Sequence, residues 1–240
     1  MKNIQKRFWE VDFLRGIAIL MMIAFHIAFD LRTFAGFGIS LYHGIWNYLA
    51  HSSAFIFVLL VGVSLTLSFS RTEQKAKYLK YFKRGVKIFS WGLLITLMTW
   101  IFFRRGFVVF GVLHLIGVSI ILAYPFLKLR DENLWIGVAV IGVGILLKKF
   151  RFGFSWLVWL GFMPIKFDSV DYFSILPWFG VVLVGIAFGN LLYSGYKRQF
   201  SLPDLSKNPI VKVFSFLGRH SLLIYLLHQP ILIGIIYLLA

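Results

Sequence analysis

An acid, an arginine and a histidine sit inside the apolar stretch that opens the chain, Val11-Asp12-Phe13-Leu14-Arg15-Gly16-Ile17-Ala18-Ile19-Leu20-Met21-Met22-Ile23-Ala24-Phe25-His26. On a helix, Asp12, Arg15, Ile19, Met22, His26 and Asp30 recur at steps of three and four and fall on one stripe. Arg15 and His26 lie at different depths on that face, roughly 16 Å apart at 1.5 Å per residue. Ionisable groups at bilayer depth are costly and usually face a bundle interior or a wet cavity, so the stripe reads as a polar path. A second group follows in Tyr42-His-Gly-Ile-Trp-Asn-Tyr-Leu-Ala-His51. Here His43, Asn47 and His51 step by four and share a helical face. With His26 they gather imidazoles and an amide toward one face of the membrane. Imidazole titrates near neutrality, which suits it to take a proton from an attacking hydroxyl or amine. The plainer reading is a solvated loop histidine, with Trp46 and Tyr48 in an interfacial aromatic belt.

Two further histidines fall inside apolar segments, His114 in Phe110-Gly-Val-Leu-His-Leu-Ile-Gly117 and His228 in the run from Gly218 to Pro230. Ser221, Tyr225 and His228 share a stripe. Catalysis and interhelical hydrogen bonding, worth ~0.6 kcal/mol between membrane helices, both account for such residues. Metal ligation does not fit the spacing: there is no HExxH motif and no histidine pair at i and i+4, and His43 and His51 are roughly 12 Å apart along a helix. No metal is therefore expected. The chain has no cysteine, which excludes disulfides, thiolate metal sites and a cysteine nucleophile. Neither a Gly-x-Ser-x-Gly elbow nor a Walker loop occurs, so serine-hydrolase and ATPase chemistry drop out.

The elements that must position these residues are membrane helices. A 240-residue chain that is 60% hydrophobic and only 14% charged cannot hide its apolar residues in one soluble core. Hydropathy places spans at about Phe13–Phe29, Ile45–Phe69, Ile88–Phe103, Phe107–Leu127, Leu134–Leu147, Phe173–Tyr193 and Val213–Ala240. No small-residue cleavage site follows the first, which reads as a retained helix rather than a signal peptide. The run Phe154–Ile165 is too short for a comfortable crossing and reads as a re-entrant or interfacial segment. The expected fold is an all-α, polytopic membrane bundle of about seven transmembrane helices plus that short segment, one domain over 1–240.

Net charge of +16 mostly reports orientation and anionic headgroups in a membrane chain rather than nucleic acid, which is not an expected partner. Lys2, Lys6 and Arg7 precede the first span, and Arg71, Lys75, Lys77, Lys80, Lys83, Arg84 and Lys87 follow the second against only Glu73. Both stretches belong in the cytoplasm, which gives a multi-pass cell-membrane protein with a cytoplasmic N-terminus. Lys148, Lys149, Arg151 and Lys166 fall outside and run against that rule. The bases of Arg71–Lys87, Lys83, Arg84 and Lys87 among them, would also suit the phosphates of a nucleotide-like donor. The apolar surface of the bundle can face membrane lipid or a second copy in a homodimer.

Taken in order, several motifs resemble the heparan-alpha-glucosaminide N-acetyltransferase catalytic-domain family. These are Val11-Asp-x-x-Arg-Gly-Ile-Ala18, a polar residue at His26, His43-x-x-Trp-Asn47, Phe57-Val-Leu-Leu-Val-Gly-Val-Ser-Leu65, Gly111-Val-Leu-His-Leu-Ile-Gly117, Asp171-Tyr-Phe-Ser-Ile-Leu-Pro-Trp-Phe-Gly180 and Gly218-Arg-His-Ser-Leu-Leu-Ile-Tyr-Leu-Leu-His-Gln229. Each is short, but together they cover nearly the whole chain. The opening motif is similar as well to membrane O-acyltransferases that decorate cell-surface polysaccharides.

This resemblance implies acetyl-CoA, or another acyl-CoA, entering from the cytoplasm and a sugar-containing acceptor amine or hydroxyl on the far side. By position, His43 matches the family's catalytic histidine and His26 a site asparagine of lysosomal members. His114 stands where those members have glutamine. The catalytic set is then His43, His26 and Asn47. The donor-binding set is Arg15, Asp12, Arg84, Lys83, Lys87 and His114, with Trp46, Asp171 and His228 toward the acceptor. Arg15, ion-paired to Asp12 one turn away, would fix the inner end of an acyl-donor channel. The rival readings are O-acylation of a cell-surface glycan or glycolipid, a proton-coupled transporter using the same buried charges, and a non-catalytic scaffold.

Overall fold

The computed structural model describes residues 7–41, 43–72, 77–103 and 106–239. Lys2, Lys6, Glu73 and Lys75, used above to orient the chain, lie outside them. The described residues form helices α1 (Trp9–Phe34), α2 (Gly44–Ser70), α3 (Lys77–Phe103), α4 (Val112–Phe126), α5 (Glu132–Leu147), α6 (Ile175–Leu192), α7 (Pro209–Arg219) and α8 (Ser221–Leu239). Among them there is no named strand, only isolated bridges joining Phe110 to Tyr172 and Phe152 to Pro164. The all-α class is as expected.

Among the described residues, five helices are long and apolar enough to cross a membrane: Trp9–Phe34, Gly44–Ser70, Tyr78–Phe103, Ile175–Leu192 and Ser221–Leu238. The chain is thus a multi-pass membrane protein. Helices α4 and α5 are apolar but have only 15 and 16 residues. At 1.5 Å per residue they reach roughly 22–24 Å, short of the ~30 Å hydrocarbon layer. The expectation of about seven full crossings is therefore borne out only in part: among the described residues five helices have spanning length and two apolar ones fall short of it. The stretch expected to begin the fourth span runs extended instead, with Phe173 N donating to Phe110 O at 2.8 Å and Val170 N to Gly106 O at 2.7 Å.

The last expected span, Val213–Ala240, breaks at His220 into α7 and α8. Helix α7 has its own start: the Asn208 side chain accepts from Ile210 N at 2.9 Å, and Pro209 occupies the first turn, where it lacks no needed donor. The Phe154–Ile165 run contains a 3₁₀ turn at Val158–Leu160. It folds back on itself through Phe152 N to Met163 O (3.0 Å) and Ile165 N to Phe152 O (3.1 Å).

The helices make two compact units. The first holds α1, the opening half of α2 through Phe57, α7 and α8. Between membrane helices the hydrophobic effect offers little, so close backbone contact and interhelical hydrogen bonds must supply the association. Helices α1 and α7 achieve this with glycine: a β-carbon at Gly218 would overlap the carbonyl oxygen of Asp12, and one at Gly16 that of Phe214. Ser215 Oγ adds a bond to Trp9 O at 3.3 Å. The start of α2 is tied to α1 by Ser53 Oγ donating to Ala18 O at 2.9 Å.

The second unit spans Val58–Ser201. There α2 and α6 cross at Gly62 and Gly185, where added β-carbons would meet the carbonyl oxygens of Val182 and Leu59. Thr66 Oγ1 bonds across to Ile186 O at 3.2 Å. Val58, Leu65, Leu115, Ile120, Leu183 and Ile186 form the fully buried centre of this unit.

Candidate active site

The first-helix stripe is present as expected from its periodicity. Asp12, Ile19, Met22 and Asp30 are buried, while Arg15 and His26 are half-buried. At its start, Asp12 Oδ1 accepts from Arg15 Nη1 at 2.9 Å and Asp12 Oδ2 pairs with Arg7 Nε at 3.4 Å. The helical step of three brings Arg15 and Asp12 together. The Asp12 backbone carbonyl is also the group against which Gly218 packs. This ion pair thus sits at the α1–α7 crossing.

Toward the other end of α1, His26 meets His228 of α8, ring centroids 4.8 Å apart and ring planes at 75°. His26 Nδ1 lies 2.9 Å from Met22 O, and His228 Nδ1 lies 2.7 Å from Tyr225 O. A carbonyl oxygen only accepts, so each Nδ1 carries the hydrogen and each neutral ring presents its lone pair at Nε2. His228 Nε2 is buried with no hydrogen-bond partner among the described residues. One turn on from His26, Gln229 Nε2 donates to Asp30 Oδ1 at 2.7 Å. Asp30 Oδ2 and Gln229 Oε1 are buried, again without a partner among the described residues.

The periodicity places Asp30 on the stripe but points to no role for it or for Gln229. The visible signals were the four-residue step from His26 and the adjacency to His228. The contact itself joins positions 199 residues apart and has no local signature. Gln229→Leu should remove the donor that Asp30 Oδ1 has and leave a fully buried carboxyl group unsatisfied, a loss of roughly 1–3 kcal/mol. A lowered melting temperature in detergent measures it; an unchanged one would remove the Gln229–Asp30 bond from the account of how α8 is held.

His43 stands exposed immediately before α2, followed by Gly44 with φ of +67°. Trp46 and Asn47 occupy the first turns of α2, both half-buried. Asn47 O accepts from His51 Nδ1 at 2.9 Å, which leaves the Asn47 side-chain amide out of that bond. His43, His26, Asn47, Trp46, Asp12, Arg15 and His228 all belong to the first unit.

His114, Asp171, Lys83, Arg84 and Lys87 belong to the second unit. His114 has the opposite tautomer from His26. Its Nδ1 accepts from Gly111 N at 3.1 Å, so Nε2 carries the hydrogen and faces Thr96 Oγ1 at 3.4 Å, and that hydroxyl donates to Val108 O at 2.7 Å. Asp171 Oδ2 accepts from Val112 N at 3.2 Å. Both side chains therefore satisfy backbone donors at the start of α4, where a carboxylate also complements the helix dipole. Lys83, Arg84 and Lys87 lie exposed along α3 at steps of three and four. Lys87 further lines an open depression of about 340 Å³ with Ser90, Trp91 and Leu94. Among the described residues no group of three or more histidines and carboxylates is arranged to hold a metal ion.

The described residues thus place two imidazoles in contact between α1 and α8 and a row of cations along α3. Residues 7–230 match the family described as heparan-alpha-glucosaminide N-acetyltransferase, catalytic. The chain therefore belongs to that family, and with its apolar helices it is a membrane acetyltransferase. No curated protein and no solved structure is similar enough to the chain to count as a match.

Proposed function

We propose that the protein transfers an acetyl or similar short acyl group from cytoplasmic acyl-CoA to an amine or hydroxyl of a sugar-containing acceptor outside the cytoplasm, with its own N-terminus on the cytoplasmic side. The observation that carries this reading is the match to an acetyltransferase family over nearly the whole chain. The positions of two side chains support the reading. His43, exposed at the start of α2, takes the acceptor's proton as that atom attacks the thioester carbonyl. The new bond forms, the C–S bond breaks, and the CoA thiolate leaves to recover a proton as the thiol. The Asn47 amide, which always offers N–H donors, stabilises the oxyanion as it develops. Neutral His26 cannot share that task, because its N–H is directed at Met22 O and its other nitrogen offers a lone pair.

Donor recognition falls to the α3 cations. Phosphates need positive charge, and a nucleotide base needs an aromatic face. Lys87 and Trp91 lie one turn apart in the same depression, with Lys83 and Arg84 one turn behind. Arg84→Glu combined with Lys87→Glu should raise the KM for acetyl-CoA at least roughly tenfold, about 1.4 kcal/mol, with a smaller change in kcat. Steady-state kinetics check it, and an unaltered KM would move donor binding away from α3. The overall reading is tested by acceptor-stimulated release of CoA thiol from acetyl-CoA by the purified protein. Stimulation by an amino-sugar or sugar hydroxyl acceptor supports it; a flat background with every such acceptor contradicts it.

A further inference from the structure

We propose that His26 and His228 form a single proton-binding unit that holds one proton and not two, and that this pair relays to the CoA thiolate the proton that His43 takes from the acceptor. The proposal rests on the acyl-transfer reading but concerns a site that reading leaves without a task. The two rings meet edge to face, 4.8 Å between centroids. Each is pinned by its own helix through Nδ1, His26 to Met22 O and His228 to Tyr225 O. Only Nε2 of each ring can therefore accept an additional proton.

Protonating one ring places a cation beside a neutral π system, a favourable contact. Protonating the second would set two like charges side by side in a poorly solvated place, which disfavours the doubly charged state. Groups that could alter this balance are few. On α1, Asp30 lies one turn away and is engaged by Gln229. On α8, the Tyr225 ring is 5.5 Å from His228. On α7, Lys212 and Arg219 are exposed, as are His220 just after it, His43 just before α2 and His51 within α2.

The proton balance of the reaction gives such a unit its use. The proton that His43 takes when the acceptor's N–H or O–H bond breaks must reach the sulfur released from the thioester. A pair limited to one proton accepts it from His43 and passes it to the thiolate without accumulating charge between the helices.

The test is a nitrogen-15 NMR titration of ring-labelled, full-length protein in lipid nanodiscs, from about pH 8 to about pH 5, around the ordinary histidine range. His26→Phe and His228→Phe assign the two rings. One ring of the pair should gain a proton while the other stays neutral, and the ring that stays neutral should titrate once its partner is phenylalanine. Two rings protonating together in the unaltered protein would overturn the proposal. So would a neutral ring that remains neutral when its partner is removed. Should a phenylalanine variant fail to fold, the glutamine variant at the same position gives the same readout. The titration is independent of turnover, so coupled titration in a protein that transfers no acetyl group would sustain the proton pair while removing the acyl-transfer reading.

Discussion

His43→Ala should leave the helices and acetyl-CoA binding intact while kcat for acyl transfer falls roughly 10²–10⁴-fold, the usual contribution of a positioned general base. The expectation follows from where the residue stands. It is exposed ahead of Gly44, and its removal leaves no hole among packed helices. A loss confined to kcat, with the KM for acetyl-CoA little changed, would mark an interaction made in the transition state. Single-turnover kinetics beside a melting curve separate this from unfolding. Turnover near that of the unaltered protein would assign the base elsewhere, with His26 or His228 next in line.

Gly218→Ala should destabilise the first unit by roughly 1–3 kcal/mol or more, the range for forcing atoms into a packed contact. The sign is the informative part. In an exposed helix interior, replacing glycine with alanine normally helps by roughly 0.5–1 kcal/mol, because glycine gives up more backbone freedom on folding. At Gly218 the added β-carbon meets the Asp12 carbonyl oxygen, which is backbone and cannot swing aside like a side chain. Separation of α7 from α1 would also disturb the residue that holds Arg15. A detergent melting curve checks the prediction, and an alanine variant as stable as the parent would mean that α1 and α7 do not approach closely there.

Much of the fold was legible because membrane helices announce themselves by long apolar runs. The stripe from Asp12 to Asp30 could be drawn in advance, since steps of three and four fix which residues share a face. What escaped depends on distant partners. The fourth span was expected from Phe107, but its opening residues run extended beside residues 170–173, and α4 begins only where His114 and Asp171 satisfy its first donors. Asp171 lies 59 residues beyond Val112, which no local pattern can register. The break at His220 falls in Gly218-Arg-His-Ser221, a polar interruption too brief for hydropathy to separate two helices, while Asn208 and Pro209 mark only where α7 begins.

The site divides in the same way. His26, His43 and Asn47 stood out by residue type and spacing. The meeting of His26 with His228, and of Asp30 with Gln229, required the α1–α8 contact itself. Ring tautomers were equally invisible from sequence. His26 and His114 are the same residue type in apolar helices, but one donates from Nδ1 to a carbonyl and the other accepts there from a backbone N–H.

The central claim is that an acyl group passes from CoA on one side of the membrane to an acceptor on the other. Proteoliposomes with labelled acetyl-CoA supplied on the face that bears the Arg71–Lys87 segment, and a glucosamine-terminated acceptor on the opposite face, test it most directly. Label should appear in the acceptor in equal amount to CoA released, and His43→Ala should abolish it. Release of CoA without label in the acceptor, or transfer only when both substrates share one face, would contradict it.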